Sequence, residues 1–136
     1  YISCELEIGK NCHISSNVSI SGGSGKLTIG DYSTISSGCS VHCASSDYRE
    51  CSLDLPSVPS EEQFGGHVEN IMIGNYVTVG AHSCILPGSN IPDGAAFGAY
   101  TLVKKDLNLY PFHLYVGKKC RDLGERRNKH LLEERR

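Results

Sequence analysis

From Ile8 to Val103 an apolar residue returns every six positions, with two interruptions. The series runs Ile8, Ile14, Ile20, then Ile29, Ile35, Val41, then Ile73, Val79, Ile85, Ile91, Phe97 and Val103. Glycine follows the apolar residue at Gly9, Gly30, Gly74, Gly80 and Gly98. Four residues after it comes a small side chain: Cys12, Val18, Ser24, Ser33, Cys39, Ser45, Val77, Ser83, Ser89, Ala95 and Thr101, with Leu107 breaking the rule in the last hexad. An amphipathic helix needs a period near 3.6 and less Gly, Ser and β-branched content. A Gly/Ser-rich sandwich predicts alternation with period two and irregular turns. Six residues suit a short strand and a turn, three such units making one triangular coil. A single coil cannot bury its own apolar face, so coils must stack into a solenoid.

Grouping the hexads in threes predicts three faces. Ile8, Ile29, Ile73 and Ile91 stack on the first, Ile14, Ile35, Val79 and Phe97 on the second, and Ile20, Val41, Ile85 and Val103 on the third. Both interruptions, "SGGSGKLT" after Ile20 and a long excursion over 47–70, then leave the same corner of the prism one coil apart. The expected organisation is a β-helix over 1–107 and a C-terminal cap and helical tail over 108–136. In the cap, Tyr110, Pro111, Phe112, Leu114 and Tyr115 are expected to close the stack. "CRDLGERRNKHLLEERR" has helical composition, with Leu123, Leu131 and Leu132 as a thin apolar stripe.

Composition narrows the class. The 136 residues suit one domain, and a net charge of −2 argues against nucleic acid or an anionic membrane as the main partner. No apolar run reaches the roughly 18 residues of a membrane span. Seven cysteines (Cys4, Cys12, Cys39, Cys43, Cys51, Cys84 and Cys120) are an odd number, which fits a secreted disulfide framework poorly. Cys12 and Cys39 fall on small-residue positions and read as reduced packing residues, which points to a cytoplasmic chain. The chain opens at Tyr1 almost in rhythm, so a preceding segment is expected.

With this hexad pattern, the sequence resembles the hexapeptide-repeat, left-handed parallel β-helix proteins. "IGDYSTISSGCSVHCASSDY", a proline-bearing loop, and "VTVGAHSCILPGSNIPDGAAFGAYTLVKKDL" are similar to the acyltransferases of sugar and O-antigen biosynthesis. The resemblance covers about Gly30 to Asp122. One departure is "VGKKC", Val116 to Cys120, where such enzymes carry a Gly-Asn-Pro-Ala-Lys turn. The resemblance implies an all-β left-handed solenoid with a short C-terminal helix, and a homotrimer with active sites between neighbouring prisms. It also implies transfer of an acetyl group from acetyl-CoA to a sugar or nucleotide-sugar hydroxyl or amine.

That chemistry needs a base, and histidine suits neutral pH. His67 leads, sitting inside the excursion six residues before Ile73; His42 follows and His82 is third. Asp47, at the start of the excursion, is the carboxylate that orients a base or binds the acceptor, and Tyr48 beside it is placed to stack on a sugar. For the cofactor, Gly80, Ala81, Gly98 and Ala99 match the family's pantetheine-lining coils, and Lys104 and Lys105 suit CoA phosphates. Other functions remain open on the same residues. Cys39, His42, Cys43 and Cys51 invite a structural zinc, although alternation points Cys39 inward and His42 outward and no metal is expected. A carbonic-anhydrase-like zinc enzyme of the same fold needs two histidines close in sequence, which are lacking here. A non-catalytic scaffold has no use for a polar excursion.

Overall fold

The computed structural model describes residues 1–45, 57, 59 and 67–135. Three columns of short strands carry the hexads, and each coil visits them in turn. The first column holds the end of β1 (Ile2–Ile8), the end of β3 (Ser19–Ile29), β8 (Ile71–Ile73) and β11 (Asn90–Ile91), registered Ile8↔Ile29↔Ile73↔Ile91. The second holds β2 (His13–Ile14), β4 (Thr34–Ile35), β9 (Thr78–Val79), β12 (Ala96–Phe97) and β14 (His113–Val116), registered Ile14↔Ile35↔Val79↔Phe97↔Tyr115. The third holds the start of β3, β5 (Ser40–His42), β10 (Cys84–Ile85) and β13 (Leu102–Val103), registered Ile20↔Val41↔Ile85↔Val103. All these pairings are parallel, and they reproduce the three stacks counted from the hexads. β6 (Ala44–Ser45) and β7 (His67–Val68) pair antiparallel at the root of the excursion.

The apolar residue of each hexad points inward. Ile20, Val41, Val79, Ile85 and Val103 are fully buried, each contributing about 1.5–3 kcal/mol of transfer free energy. The small position turns inward too, at the corner. Ser33, Ser83, Ser89 and Thr101 are buried polar residues, and their hydroxyls tie coil to coil. Ser33 Oγ donates to Gly74 O (2.7 Å) and accepts from Val77 N (3.1 Å). One coil further along the stack and at the next corner, Ser83 Oγ donates to Gly98 O (3.1 Å) and accepts from Thr101 N (3.2 Å). Cysteine serves the same position with a thiol: Cys12 Sγ lies 2.9 Å from Gly30 O and Cys39 Sγ 3.1 Å from Gly80 O. Buried polar groups are thus matched, and no buried side-chain N or O among the described residues lacks a partner.

Two expectations are corrected. "SGGSGKLT" is not an irregular loop: it belongs to the continuous strand β3, which turns the corner between the third and first columns. It is held there by β1, with Leu6↔Leu27 in register, Leu27 in the core, and Lys26 Nζ 2.7 Å from Glu7 Oε2. The tail is helical only at α1 (His130–Glu133). Before it, β15 (Arg121–Glu125) folds back antiparallel on β14, because Gly117 (φ 83°) turns the chain and the open edge of β14 offers hydrogen-bonding groups. Leu123 and Leu131 are half or more exposed and form no packed stripe. At this end of the stack Phe112 and Tyr115 are buried, with Tyr115 stacked on Phe97 at 5.6 Å. Among the described residues no helix is long and apolar enough to cross a membrane.

Candidate active site

The three residues after each apolar one form the corner, and the third of them adopts a left-handed backbone: Asn11, Asn17, Tyr32, Tyr76, His82 and Tyr100 all have φ between 55° and 60°. This geometry aims the amide of the middle residue outward. At the corner between the first and second columns those amides are closed by side chains one coil on. Lys10 N donates to Asp31 Oδ1 (2.9 Å), Asp31 N to Asn75 Oδ1 (2.6 Å) and Asn75 N to Asp93 Oδ1 (2.8 Å).

The corner between the second and third columns has the same backbone and different side chains. Ala81 and Ala99 stand where the other corner has Asn75 and Asp93, and neither can close the ladder. Among the described residues the amides of Ser37, Ala81 and Ala99 have no hydrogen-bond acceptor. The result is a column of outward N–H donors spaced by one coil, suited to the carbonyls of an extended ligand or to a developing oxyanion. Gly80 and Gly98 lie beside it with a packing duty. A Cβ on Gly80 would fall 2.6 Å from both Gly98 C and Ala99 N, so glycine there lets the coils approach. His82 is exposed, lies over Gly38 and stacks on Tyr100 at 5.2 Å.

At the capped end of the same stack a cavity of about 480 Å³ is lined by Leu102, Lys104, Leu107, Lys118, Lys119 and Cys120. Burial pushes the Cys120 thiol up to about 11, so it lies there uncharged among the lysines. Lys104 and Lys105 are neighbours in the chain. The structure separates them: Lys105 Nζ turns to Glu69 Oε1 at 2.7 Å, and that hydrogen bond holds the Glu69 carboxyl below its ordinary range. Lys118 and Lys119 join Lys104 instead. Their signal was present in "VGKKC", but only the hairpin of β14 and β15 brings them back over the last coil.

The candidate bases lie apart from the lysine cavity. His67 is exposed on β7, opposite Ser45, with Glu69 two residues on. His42 is half-buried at the end of β5, where its Nδ1 is 3.2 Å from Ser21 Oγ. Asp47 and Tyr48, and Cys51 of the zinc reading, lie outside the described residues. Cys39 and Cys43 of that reading are both buried, and no three of His, Cys, Asp and Glu converge among the described residues.

No protein-family model matches the chain. The chain is 37% identical over 128 residues to the dTDP-4-amino-4,6-dideoxy-D-glucose acyltransferase of Escherichia coli, a match covering 94% of this chain and 64% of that enzyme. It thus spans just under two thirds of that relative's length. Among solved structures, AntD, an N-acyltransferase from Bacillus cereus in complex with dTDP and 3-hydroxybutyryl-CoA, superposes with a TM-score of 0.85 at 28% identity, over 98% of this chain and 70% of AntD. A hexapeptide-repeat acetyltransferase of Vibrio cholerae in complex with acetyl-CoA shares the fold, with a TM-score of 0.68 at 23% identity over 91% of this chain and 64% of its own. The stacked hexads, their register and these likenesses agree: the chain belongs to the hexapeptide-repeat acyltransferase family.

Proposed function

We propose that the chain transfers an acyl group from acyl-CoA, acetyl-CoA in the simplest case, to the amine or hydroxyl of a nucleotide-linked sugar. The observation that carries this reading is the likeness to the Escherichia coli aminosugar acyltransferase along 94% of the chain. The outward amides of Ala81 and Ala99, and the cavity of Lys104, Lys118 and Lys119, support it from the geometry. The amides suit the carbonyls of the pantetheine arm and the thioester, and the lysines suit the CoA phosphates as point charges.

In the proposed reaction the acceptor's lone pair attacks the thioester carbon. The carbonyl electrons move to oxygen, where an amide of the column steadies them. A base removes the acceptor's proton; His67 is the first candidate, and His42 and the carboxylate of Asp47 are the other candidates. The carbon–sulfur bond then breaks and the CoA sulfur leaves, taking a proton. Tyr48 is proposed to face the sugar, and Gly80 and Gly98 to let the cofactor lie close. The assembly proposed is a homotrimer, each site lying between two prisms. The proposed location is the cytoplasm, where acyl-CoA and nucleotide sugars are found.

Incubation with acetyl-CoA or 3-hydroxybutyryl-CoA and dTDP-4-amino-4,6-dideoxyglucose, followed by mass spectrometry of the nucleotide, tests the reading. An acylated nucleotide sugar is expected, with the 4-hydroxyl analogue as the comparison that separates amide from ester formation. No acylated product from either acceptor overturns it.

A further inference from the structure

Two sequence features have no part in the proposed chemistry: the many thiols and the glycines of "SGGSG". They meet at one corner. β1 pairs with β3 at Ser3↔Ser21 and next at Glu5↔Lys26, so Cys4 alone stands against the segment 22–25. From the coil on the other side Cys43 presses on that same segment: a Cβ on Gly22 or on Gly25 would lie 2.5 Å from the Cβ of Cys43. The two glycines leave the space through which side chains from either side of β3 meet. Cys43 is fully buried there and Cys4, against the same segment, half-buried, and neither is in a disulfide.

We propose that Cys4 and Cys43 form a reversible disulfide, made by a peroxide and broken by a dithiol, that ties the first strand to the root of the excursion. The Cys4 sulfur attacks the peroxide: an S–O bond forms, the O–O bond breaks, the departing oxygen leaves as water with the Cys4 proton, and Cys4 becomes a sulfenic acid. The Cys43 sulfur then attacks the Cys4 sulfur, the S–O bond breaks, and the hydroxyl leaves with the Cys43 proton as water. Overall the two thiols are oxidised and one peroxide is reduced to water. Burial pushes the Cys43 thiol up to about 11, which disfavours it as the sulfur that meets the peroxide.

The bond would act on the candidate site. Cys43 O accepts from Glu69 N at 2.9 Å, and Glu69 holds Lys105. The next two residues, Ala44 and Ser45, carry the strand that presents His67. A cross-link at Cys43 therefore stiffens both arms of the excursion where they leave the prism.

Hydrogen peroxide added to the native chain, followed by thiol blocking, digestion and peptide mapping, decides the matter. The expected product is a Cys4–Cys43 cross-linked peptide pair that dithiothreitol removes and that Cys4→Ser lacks. The wild-type map is decisive by itself should that variant not fold. Cys4 found as sulfinic or sulfonic acid with Cys43 still open to alkylation after denaturation overturns the proposal, as does Cys43 cross-linked to Cys51 instead. This readout needs no acyl transfer, so its failure leaves the proposed function standing.

Discussion

The residue two places after the apolar position does opposite things at two corners of one backbone. As Asp31, Asn75 or Asp93 it closes the amide of the coil before it. As Ala81 or Ala99 it leaves the amide of the coil before it, Ser37 or Ala81, facing out, with a methyl group too short to obstruct a ligand. At the same scale stands the choice of base. His67 is exposed and its side chain holds no core position, so His67→Ala should leave thermal unfolding unchanged. If it takes the acceptor's proton, kcat/KM should fall by about 10²–10⁴-fold. Steady-state kinetics on the variant checks this, and activity within a few-fold of wild type would pass the role to His42 or Asp47.

Among the elements, the hairpin of β14 and β15 shapes the lysine cavity; Tyr115 and Cys120 anchor it in the core, and polar contacts pin its returning strand. The Asp122 carboxylate accepts from Gly124 N at 2.7 Å and lies 2.9 Å from His113 Nδ1. The backbone N–H of Gly124 first, and His113 second, hold the carboxyl below its ordinary 3.8. A carboxyl lowered by folding stabilises the native state above its unfolded pKa, and that contribution is lost as pH falls through the lower folded value. Asp122→Asn should therefore lower Tm at neutral pH, with the difference from wild type shrinking at pH values below 3.8. Calorimetry across that range is the check. A constant difference at all pH values would assign the loss to geometry instead of charge. The antiparallel return of β15 also shows why helical composition misled: "CRDLGERR" has few strand formers, but an unpaired edge of β14 decides its conformation.

For the molecule as a whole, the amide column lies on a convex corner, whereas small-molecule sites are concave. One prism thus supplies one wall, and the proposed trimer supplies the second. Analytical ultracentrifugation should give three times the 14.8 kDa chain mass, and a fully active monomer would remove the trimer from the reading. The sequence alone determined the solenoid, its three stacks and the corner from which the excursion departs. A period of six with a buried small residue has one economical packing, and each hexad repeats the same local rule. His67 and Lys105 were legible as candidates by position only. Their neighbours depend on how separate turns come together. The tertiary structure alone decided that Lys105 belongs to Glu69 and that Lys118 and Lys119 join Lys104. It also decided which of two similar corners keeps its amides open, and that Cys4 and Cys43 meet through a gap left by two glycines. In each case the physical reason is the same: these contacts join residues on different coils, and their partners are set by stacking rather than by anything local in the chain.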